Sequence, residues 1–267
     1  MRLASAGLGL LLVLFVGANA SARTYYAANN CSGQPTPCTT NLQTALEDSG
    51  YSNVYIVANS TFTGDYRISR SLTLTGGTGA TIHLKSGKVY SLRVEGTSTV
   101  TVGYLTITGR VAVHASSTVN LHDLDISGTD YGVLVDSGSS GVTLDTLTID
   151  ATYRAVDLLD SSSISIVDGV YSGGDYGVVA SDATFTVSYG DIYGVHYALV
   201  LQNGNISPYS TVTASNSSLT FATGGKTTWR WDRCSASYTN VTPSPTETVS
   251  QSSSLTGLIS YDPWGGP

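Results

Sequence analysis

The sequence predicts an all-β fold: a right-handed, single-stranded parallel β-helix (a β-solenoid) with a short N-terminal capping helix. Residues 99–203 repeat one pattern five times, in which two alternating runs precede a polar break and a third run of the form Gly/Ala-Val/Leu-x-Val/Leu/Ala. One slot of this third run recurs at intervals of 21 to 23 residues. It is occupied by Val113, Val135, Leu158, Ala180 and Leu201. Such a period, with alternation inside it, is typical of a β-solenoid, and parallel crossovers are right-handed.

Alignment of the five repeats through the third run predicts the core. Aliphatic residues fall into columns, and successive coils of a parallel sheet lie about 4.8 Å apart. Two further inward columns are Val111, Val133, Val156, Val178, Leu199 and Ile107, Ile126, Ile149, Tyr171, Ile192. We expect these side chains to stack inside the β-helix.

The residues before the repeats predict a cap followed by irregular coils. Residues 23–28 form a strand-like run, and the Thr39–Asn41 segment can cap a helix over residues 42–48, with Gly50 as its stop. A helix here covers the open apolar end of a solenoid. Further strand-like runs occupy residues 54–57, 66–68, 72–74, 82–84 and 91–94.

Three segments are predicted along the chain. Residues 1–22 have a short positive start, an apolar run and small residues suited to cleavage, which favours a secretory signal peptide over the alternative of a retained anchor. Residues 23–240 form the β-helix domain, in which STVTASNSSLTF is one more coil and residues 228–232 are the last coil or a cap. Residues 241–267 are a Ser/Thr/Pro-rich linker and a tail.

Composition and cysteine usage indicate an exported protein. The net charge of −7 disfavours nucleic acid as a partner, and no segment after the signal predicts membrane insertion. Cys31 and Cys38 flank a short loop that can close as a disulfide in an oxidising compartment, which leaves Cys234 over. We therefore expect a secreted or cell-surface monomer.

The segment TNLQTALEDSGYSNVYIVANSTFTGDYRISRSLTLTGG, preceded by Tyr25-Tyr26, resembles the N-terminal part of secreted parallel β-helix proteins, the pectin-lyase-like superfamily. The resemblance covers roughly residues 24 to 221 and implies the fold. It implies no single activity, because that superfamily includes lyases, hydrolases, epimerases, adhesins and non-catalytic proteins. Its hydrolases carry an Asp-Asp pair with Gly-His-Gly and Arg-x-Lys motifs, and its lyases carry clustered calcium-binding acids with a basic residue. No residue of either pattern carries over.

The first candidate site lies on outward positions of the third strand. Glu95, His114 and Asp136 fall on consecutive coils, within about 10 Å of one another, with Asp157 and Arg93 near them. Carboxylates beside a histidine can perform acid–base work on a glycosidic bond. The alternative is that these are ordinary solvated side chains.

The second candidate site is a column of aromatic residues one position before the Gly/Ala slot. Tyr131, Arg154, Tyr176 and Tyr197 share this column with Gly109, and Tyr90 precedes them. Aromatic faces can stack on sugars, which predicts a saccharide-binding strip. Stacking that only stabilises the sheet is the alternative.

No cofactor is predicted. Calcium is possible at a set of aspartates on another face, but no calcium-loop motif supports it, and solvated carboxylates are the simpler interpretation. The set comprises Asp123, Asp125, Asp145, Asp168 and Asp191. His122 and His196 are isolated in the sequence, with no metal-ligand spacing, so no metal site is predicted.

These observations favour an extracellular saccharide-binding or cell-surface protein whose partner is a polysaccharide or glycan. One alternative is a polysaccharide lyase or glycoside hydrolase centred on the candidate acids and His114. A further alternative is a structural spacer or adhesin on a cell envelope. The sequence alone does not decide whether the protein is an enzyme.

Overall fold

Three strands per turn wind this chain into a parallel β-helix, here seen in a computed structural model. The described residues are 22–96, 98–114, 118–128, 130–160, 162–181, 183–194, 197–202, 211–215, 218–221, 229–231, 235–241, 247–249 and 254–259. Side chains are described for these residues up to 194 and for Val200. The predicted signal peptide lies almost wholly in residues 1–21, and these, His196 and Cys234 are outside the described residues.

The elements follow one another with short connections. The cap contains β1 (Thr24–Ala27), β2 (Cys38–Thr39) and α1 (Leu42–Glu47). The early coils contain β3 (Asn53–Ile56), β4 (Thr61–Gly64), β5 (Tyr66–Ile68), β6 (Leu72–Gly76), β7 (Thr81–Leu84) and β8 (Tyr90–Glu95). The regular coils contain β9 (Thr99–Thr108), β10 (Arg110–His114), β11 (Thr118–Ser127), β12 (Tyr131–Asp136), β13 (Val142–Asp145), β14 (Leu147–Ala151), β15 (Arg154–Leu158), β16 (Ser163–Ile166), β17 (Gly169–Gly173), β18 (Tyr176–Ser181), β19 (Thr184–Ser188), β20 (Gly190–Gly194) and β21 (Tyr197–Gln202). The last described strands are β22 (Thr211–Ser215), β23 (Ser218–Phe221), β24 (Trp229–Trp231), β25 (Ser235–Val241), β26 (Glu247–Val249) and β27 (Ser254–Ile259).

Strands of successive coils pair in parallel and form three faces. The third strand of each coil belongs to a nine-stranded sheet, which we call the third-strand face: β5, β8, β10, β12, β15, β18, β21, β24 and β26. The first and second strands share an 18-stranded sheet, because β9 and β11 each run through both positions. The prediction of a parallel β-helix is confirmed.

Where side chains are described, the predicted inward columns form the core. Val111 pairs with Val133, and the column continues through Val156 and Val178 to Leu199. The isoleucine column is also in register, and Tyr171 takes one of its places, fully buried. The Tyr171 hydroxyl donates to the carbonyl oxygen of Asp168 at 2.7 Å, so the buried phenol has a partner. Burial, reinforced by nearby Asp145 and Asp168, raises the pKa of this hydroxyl.

Helix α1 forms where predicted and closes the N-terminal end. Its N-cap is Asn41, whose side-chain oxygen accepts from the amide of Gln43 at 3.1 Å. Leu42, Ala45 and Leu46 are buried against the first coil. Burial of each leucine contributes about 2 kcal/mol, which is why so short a helix stays folded on the end of the solenoid.

The predicted disulfide is present. Cys31 and Cys38 are bonded, with their Cα atoms 5.6 Å apart. The bond closes the loop between β1 and β2, which pair in parallel. Within the N-terminal cap, the bond therefore ties β2 to the loop that follows β1.

The corner between the first and second strands changes along the molecule. In the first two coils it is a loop of four residues, 57–60 and 77–80. Later coils turn with one residue at positive φ, as at Tyr104 (58°), Asp123 (50°), Thr146 (54°) and Tyr189 (61°). Aspartate tolerates this left-handed conformation, whereas tyrosine and threonine adopt it at a cost. Because the four-residue corner interrupts the chain after β3, β4 forms a separate strand, which the sequence pattern did not predict.

Strand pairing continues past the repeats. Strands β22 and β23 form the additional coil predicted from STVTASNSSLTF. Beyond residue 241, where the sequence predicts a linker, β26 pairs with β24 and β27 pairs with β25. The domain boundaries themselves stay predictions. Within the described residues, no helix is long and apolar enough to cross a membrane.

Candidate functional site on the third-strand face

The third-strand face brings both candidate sites onto one surface. His114 lies opposite Glu95 on one side and Asp136 on the other. The aromatic column also has the predicted register: Tyr131 pairs with Arg154, Arg154 with Tyr176, and Tyr176 with Tyr197. The two sites are therefore parallel columns of one sheet, separated by a single outward position on each strand.

The aromatic column is a ladder of tyrosines and arginines, which we call the tyrosine–arginine ladder: Tyr90, Arg110, Tyr131, Arg154 and Tyr176. The Arg110 guanidinium lies 4.1 Å from the centre of the Tyr131 ring and 5.5 Å from that of Tyr90. Arg154 lies 5.6 Å from the Tyr131 ring and 5.7 Å from the Tyr176 ring. These distances are within the range of cation–π attraction, so the ladder alternates cation and ring.

Arg110 replaces Gly109 as the ladder residue of its coil. The register shifts between Arg110 and Val111, and this shift places Arg110 opposite Tyr90. Gly109 precedes the strand with φ of 127°, and a Cβ there would lie 2.0 Å from Ser91 Oγ. Gly109 therefore serves the backbone turn, while the bulge directs the next residue onto the face.

Tyr153 is a further ladder contact that the sequence analysis missed. Its ring stands edge-on to Tyr131 at 5.5 Å and to Tyr176 at 5.3 Å. It also lies 4.9 Å from the guanidinium of Arg154. Tyr153 comes from the turn before β15, so strand periodicity could not indicate it; its only signal was the position beside Arg154.

Asp157 lies beneath the ladder rather than with the other candidate acids. Its side chain is 6% exposed, and Oδ1 accepts from Arg154 Nη1 at 2.7 Å. Burial raises the pKa of Asp157, although the positive charges of Arg154 and Arg110 oppose that shift. Burial likewise disfavours the charge of Arg154, but Asp157 and Tyr153 outweigh it and raise the pKa of the guanidinium. The two directions agree with an ion pair in which the carboxylate, as the more deeply buried partner, carries the larger desolvation cost.

Glu95 is held by two arginines. It pairs with the Arg67 guanidinium, and Oε1 accepts from Arg93 Nη1 at 2.9 Å. Arg93 also donates to Asp65 Oδ1 at 3.0 Å. This network of four residues compensates the negative charge of Glu95 and fixes the orientation of its side chain. Glu95 is thus engaged in ion pairs and is not a free acid beside His114.

His114 and Asp136 form a close pair. His114 Nδ1 lies 2.6 Å from Asp136 Oδ1, and the side chains are 24% and 18% exposed. Ser137 Oγ donates to the same carboxylate oxygen at 3.0 Å, and the Tyr90 ring stands edge-on to the imidazole at 5.5 Å. A carboxylate at Nδ1 favours the tautomer that leaves Nε2 as the basic nitrogen. The pair has the arrangement of an oriented general base.

The four candidate acids and bases therefore separate into three sets on one face. His114 and Asp136 are brought together, Glu95 pairs with Arg67 and Arg93, and Asp157 pairs with Arg154. Glu95, His114 and Asp136 share the outer column, whereas Asp157 belongs to the neighbouring column. Arg67 lies on β5, one coil before Arg93 and Glu95, and the sequence analysis did not place it at this site.

The described part of the chain contains no group of three or more His, Cys, Asp or Glu side chains placed to hold a metal ion. Calcium binding stays a prediction, and no site for it is located in the described residues. His122, however, is not isolated. Its Nδ1 lies 2.8 Å from Asp123 Oδ2, and its ring contacts Tyr104.

Comparison with known proteins supports the fold. No family model and no curated relative matches the sequence. Among solved structures, the chain is similar to an alginate lyase from Paenibacillus sp. str. FPU-7, with a TM-score of 0.50 and 13% identity over 88% of this chain and 98% of that chain. The two chains share a parallel β-helix fold. At this identity the likeness concerns the path of the β-helix backbone alone, so the third-strand face has to be interpreted from its own residues.

Proposed function

We propose that this protein binds an extracellular polysaccharide along the third-strand face, with the polymer in contact with the tyrosine–arginine ladder. The observation that carries the proposal is the alternation of guanidinium groups and tyrosine rings over consecutive coils. Coils repeat about every 4.8 Å along the axis, so the ladder offers a periodic surface to a periodic polymer.

The charges of this face support the proposal. Four arginines occupy outward positions on it in a chain with net charge −7: Arg67, Arg93, Arg110 and Arg154. Among the described side chains Arg110 has no ion-pair partner within 4.0 Å. Its Nη groups can therefore donate to sugar hydroxyls or carboxylates.

The contacts within the ladder limit the ways in which it can recognise sugars. The Arg110 guanidinium covers a face of the Tyr131 ring, so that face is not open for stacking on a pyranose. Recognition then depends on guanidinium N–H groups, phenol hydroxyls and ring edges. The structural neighbour acts on a polysaccharide, alginate, which is consistent with this ligand class.

A second candidate function is polysaccharide cleavage by a lyase or hydrolase. The observation that favours it is the 2.6 Å pair of His114 and Asp136 beside Tyr90. In this function His114 Nε2 would take up a proton, and Asp136 would stabilise the imidazolium that forms. The paired state of Glu95 removes one of the two free carboxylates that glycoside hydrolysis usually needs, so a proton-abstracting lyase fits better than a hydrolase.

A glycan-array screen of the secreted chain, run beside a product assay on pooled polysaccharides with and without calcium, distinguishes these functions. We expect binding without products, a loss of affinity in Tyr176→Ala and unchanged affinity in Asp136→Asn. New unsaturated or reducing ends that disappear in Asp136→Asn would establish cleavage instead. No binding and no products would leave the spacer or adhesin role.

A further inference from the structure

A groove runs along the corner between the first and second strands, away from the third-strand face. It has a volume of about 630 Å³, and we call it the corner groove. The lining residues on which the argument depends are Tyr55, Gly77, Gly79, Tyr104, Asp123 and Asp125. The groove forms where the four-residue corner loops of the early coils give way to single-residue corners, because this step leaves space beside the narrower coils.

Glycines keep one wall of the groove thin. A Cβ added at Gly77 would lie 2.6 Å from Tyr55 Oη, and one added at Gly79 would lie 2.7 Å from Asn59 Oδ1. Gly79 also has φ of 72°. Side chains at these positions would displace the Tyr55 hydroxyl or fill the space beside it. The wall therefore depends on the glycine-rich corner sequence.

Tyr104 is presented to the groove at an energetic cost. It sits at the corner with φ of 58° and is 57% exposed. A bulky residue in this conformation costs about 1 kcal/mol or more, and an exposed ring returns little burial energy to offset that cost. Tyr189 shares this strain and exposure, but Tyr104 is distinguished by its place in the lining of the groove.

The neighbouring coil braces the Tyr104 ring. The His122 imidazole stands edge-on to it, with ring centres 5.1 Å apart. His122 pairs with Gly103 across the sheet, and a Cβ on Gly103 would lie 2.3 Å from its Cε1 atom. His122 Nδ1 lies 2.8 Å from Asp123 Oδ2. Gly103, His122 and Asp123 thus hold the ring in place from one side.

The polar groups of the groove select the ligand class. Asp123 and Asp125 supply carboxylate oxygens, which only accept hydrogen bonds when ionised. Four threonines add hydroxyls, and among the described residues no Lys or Arg lines the groove. A ligand rich in hydroxyl donors fits these groups, whereas an anionic ligand would be repelled. An exposed ring beside hydroxyl acceptors is suited to the C–H face of a pyranose.

We propose that the corner groove binds a neutral saccharide, with one sugar stacked on Tyr104 and its hydroxyls hydrogen-bonded to Asp123 and Asp125. This site does not depend on the third-strand face. Its ligand differs in chemistry as well, because the described lining of the groove has acids but no arginine or lysine, whereas the third-strand face carries four arginines beside its acids.

Calorimetric titration of the secreted chain with cellohexaose, xylohexaose and mannohexaose tests the proposal. At least one should bind, and Tyr104→Asn should weaken that binding about tenfold or more, equivalent to about 1.4 kcal/mol. Asparagine tolerates positive φ, so this variant should fold. Tyr189→Asn is the matched control, because Tyr189 has φ of 61° and 64% exposure at the same corner of a later coil. It should leave affinity unchanged.

A second pair of variants avoids the corner backbone. Asp125→Ala should weaken binding severalfold, whereas Asp191→Ala, at an exposed position of the same strand column outside the groove, should not. Tyr176→Ala should leave neutral hexasaccharide binding intact, which separates this site from the ladder. The proposal is overturned if no neutral hexasaccharide binds, if Tyr104→Asn and Asp125→Ala bind like wild type, or if a mannuronic acid hexamer binds equally well at this groove.

Discussion

Arg110 lies with its guanidinium 4.1 Å from the centre of the Tyr131 ring, one coil away along the β-helix. The contact depends on a shift of register between Arg110 and Val111. The shift turns Arg110 onto the third-strand face, where it also approaches the ring of Tyr90 at 5.5 Å. A single local irregularity therefore completes the ladder across the coil in which the repeat pattern places a glycine.

Replacement of this guanidinium should destabilise the protein. Arg110→Lys keeps the positive charge but loses the planar group that stacks between Tyr90 and Tyr131. We expect the free energy of unfolding to fall by about 1 kcal/mol, measured by urea denaturation. Arg67→Lys is the control, because the Arg67 side chain is 55% exposed and pairs with Glu95 at the surface. Equal losses in both variants would show that the ring contacts contribute nothing.

Asp157 should make stability depend on pH. Burial raises its pKa in the folded state above the ordinary value of 3.8. The folded protein therefore holds this proton more tightly than the unfolded chain, and the stabilisation is complete below pH 3.8 and is lost as pH rises through the raised pKa. Asp157→Asn removes this dependence. The stability of wild type relative to Asp157→Asn should fall across that interval, and parallel profiles would contradict the prediction.

Gly169 should be far less tolerant of a side chain than Gly87. Both have positive φ, at 119° and 77°. A Cβ at Gly169 would lie 2.2 Å from the carbonyl oxygen of Leu147, whereas a Cβ at Gly87 meets nothing within 4 Å. Gly87→Ala should cost about 1 kcal/mol for its backbone conformation, and Gly169→Ala about 3 kcal/mol. Thermal or urea unfolding of the pair measures the difference, and similar costs would refute the clash.

Arg70 should be needed to hold the capping helix. Its Nε donates to the carbonyl oxygen of Leu46 at 2.7 Å, and its two Nη groups donate to those of Tyr51 at 2.7 Å and Ala45 at 3.2 Å. The contacts with Leu46 and Ala45 satisfy carbonyls at the helix C-terminus, and the contact with Tyr51 holds the loop that follows. Arg70→Met keeps the apolar stem and should lower the unfolding free energy by about 2 kcal/mol. Exposed Arg23→Met should have little effect, so equal losses would argue against a capping role.

The repeated part of the chain was predictable because every coil shows the same alternation of apolar residues and the same repeat length. The inward columns through Val113 and Ile107 have the predicted register, and the helix over residues 42–47 begins at its predicted cap. The predicted register of His114 with Asp136 also holds, although spacing alone did not show that their side chains bond directly. Early coils were harder, since their four-residue corners, 57–60 and 77–80, depart from the spacing of the later repeats.

The residues that sequence reasoning missed share a physical cause. Arg110 reaches the face through a bulge, Tyr153 through a turn, and His122 contacts Tyr104 because Gly103 leaves room for its ring. Each contact depends on a local feature of one coil (a bulge, a turn or a glycine opposite a ring) rather than on strand alternation. Periodicity averages over such irregularities, so it cannot indicate them.

Sequence alone determined the winding of this protein: the coil length, the inward columns, the capping helix and the cysteine pair. These follow from local patterns in which each residue needs only to face inward or outward. Only the tertiary structure decided which polar side chains pair. It places Glu95 in ion pairs with arginines and brings His114 into contact with Asp136. It also forms the groove beside Tyr104. The contacts between coils, such as that of His114 with Asp136, join side chains as much as 22 positions apart in the chain, and a shift of one residue in register would change every such partner.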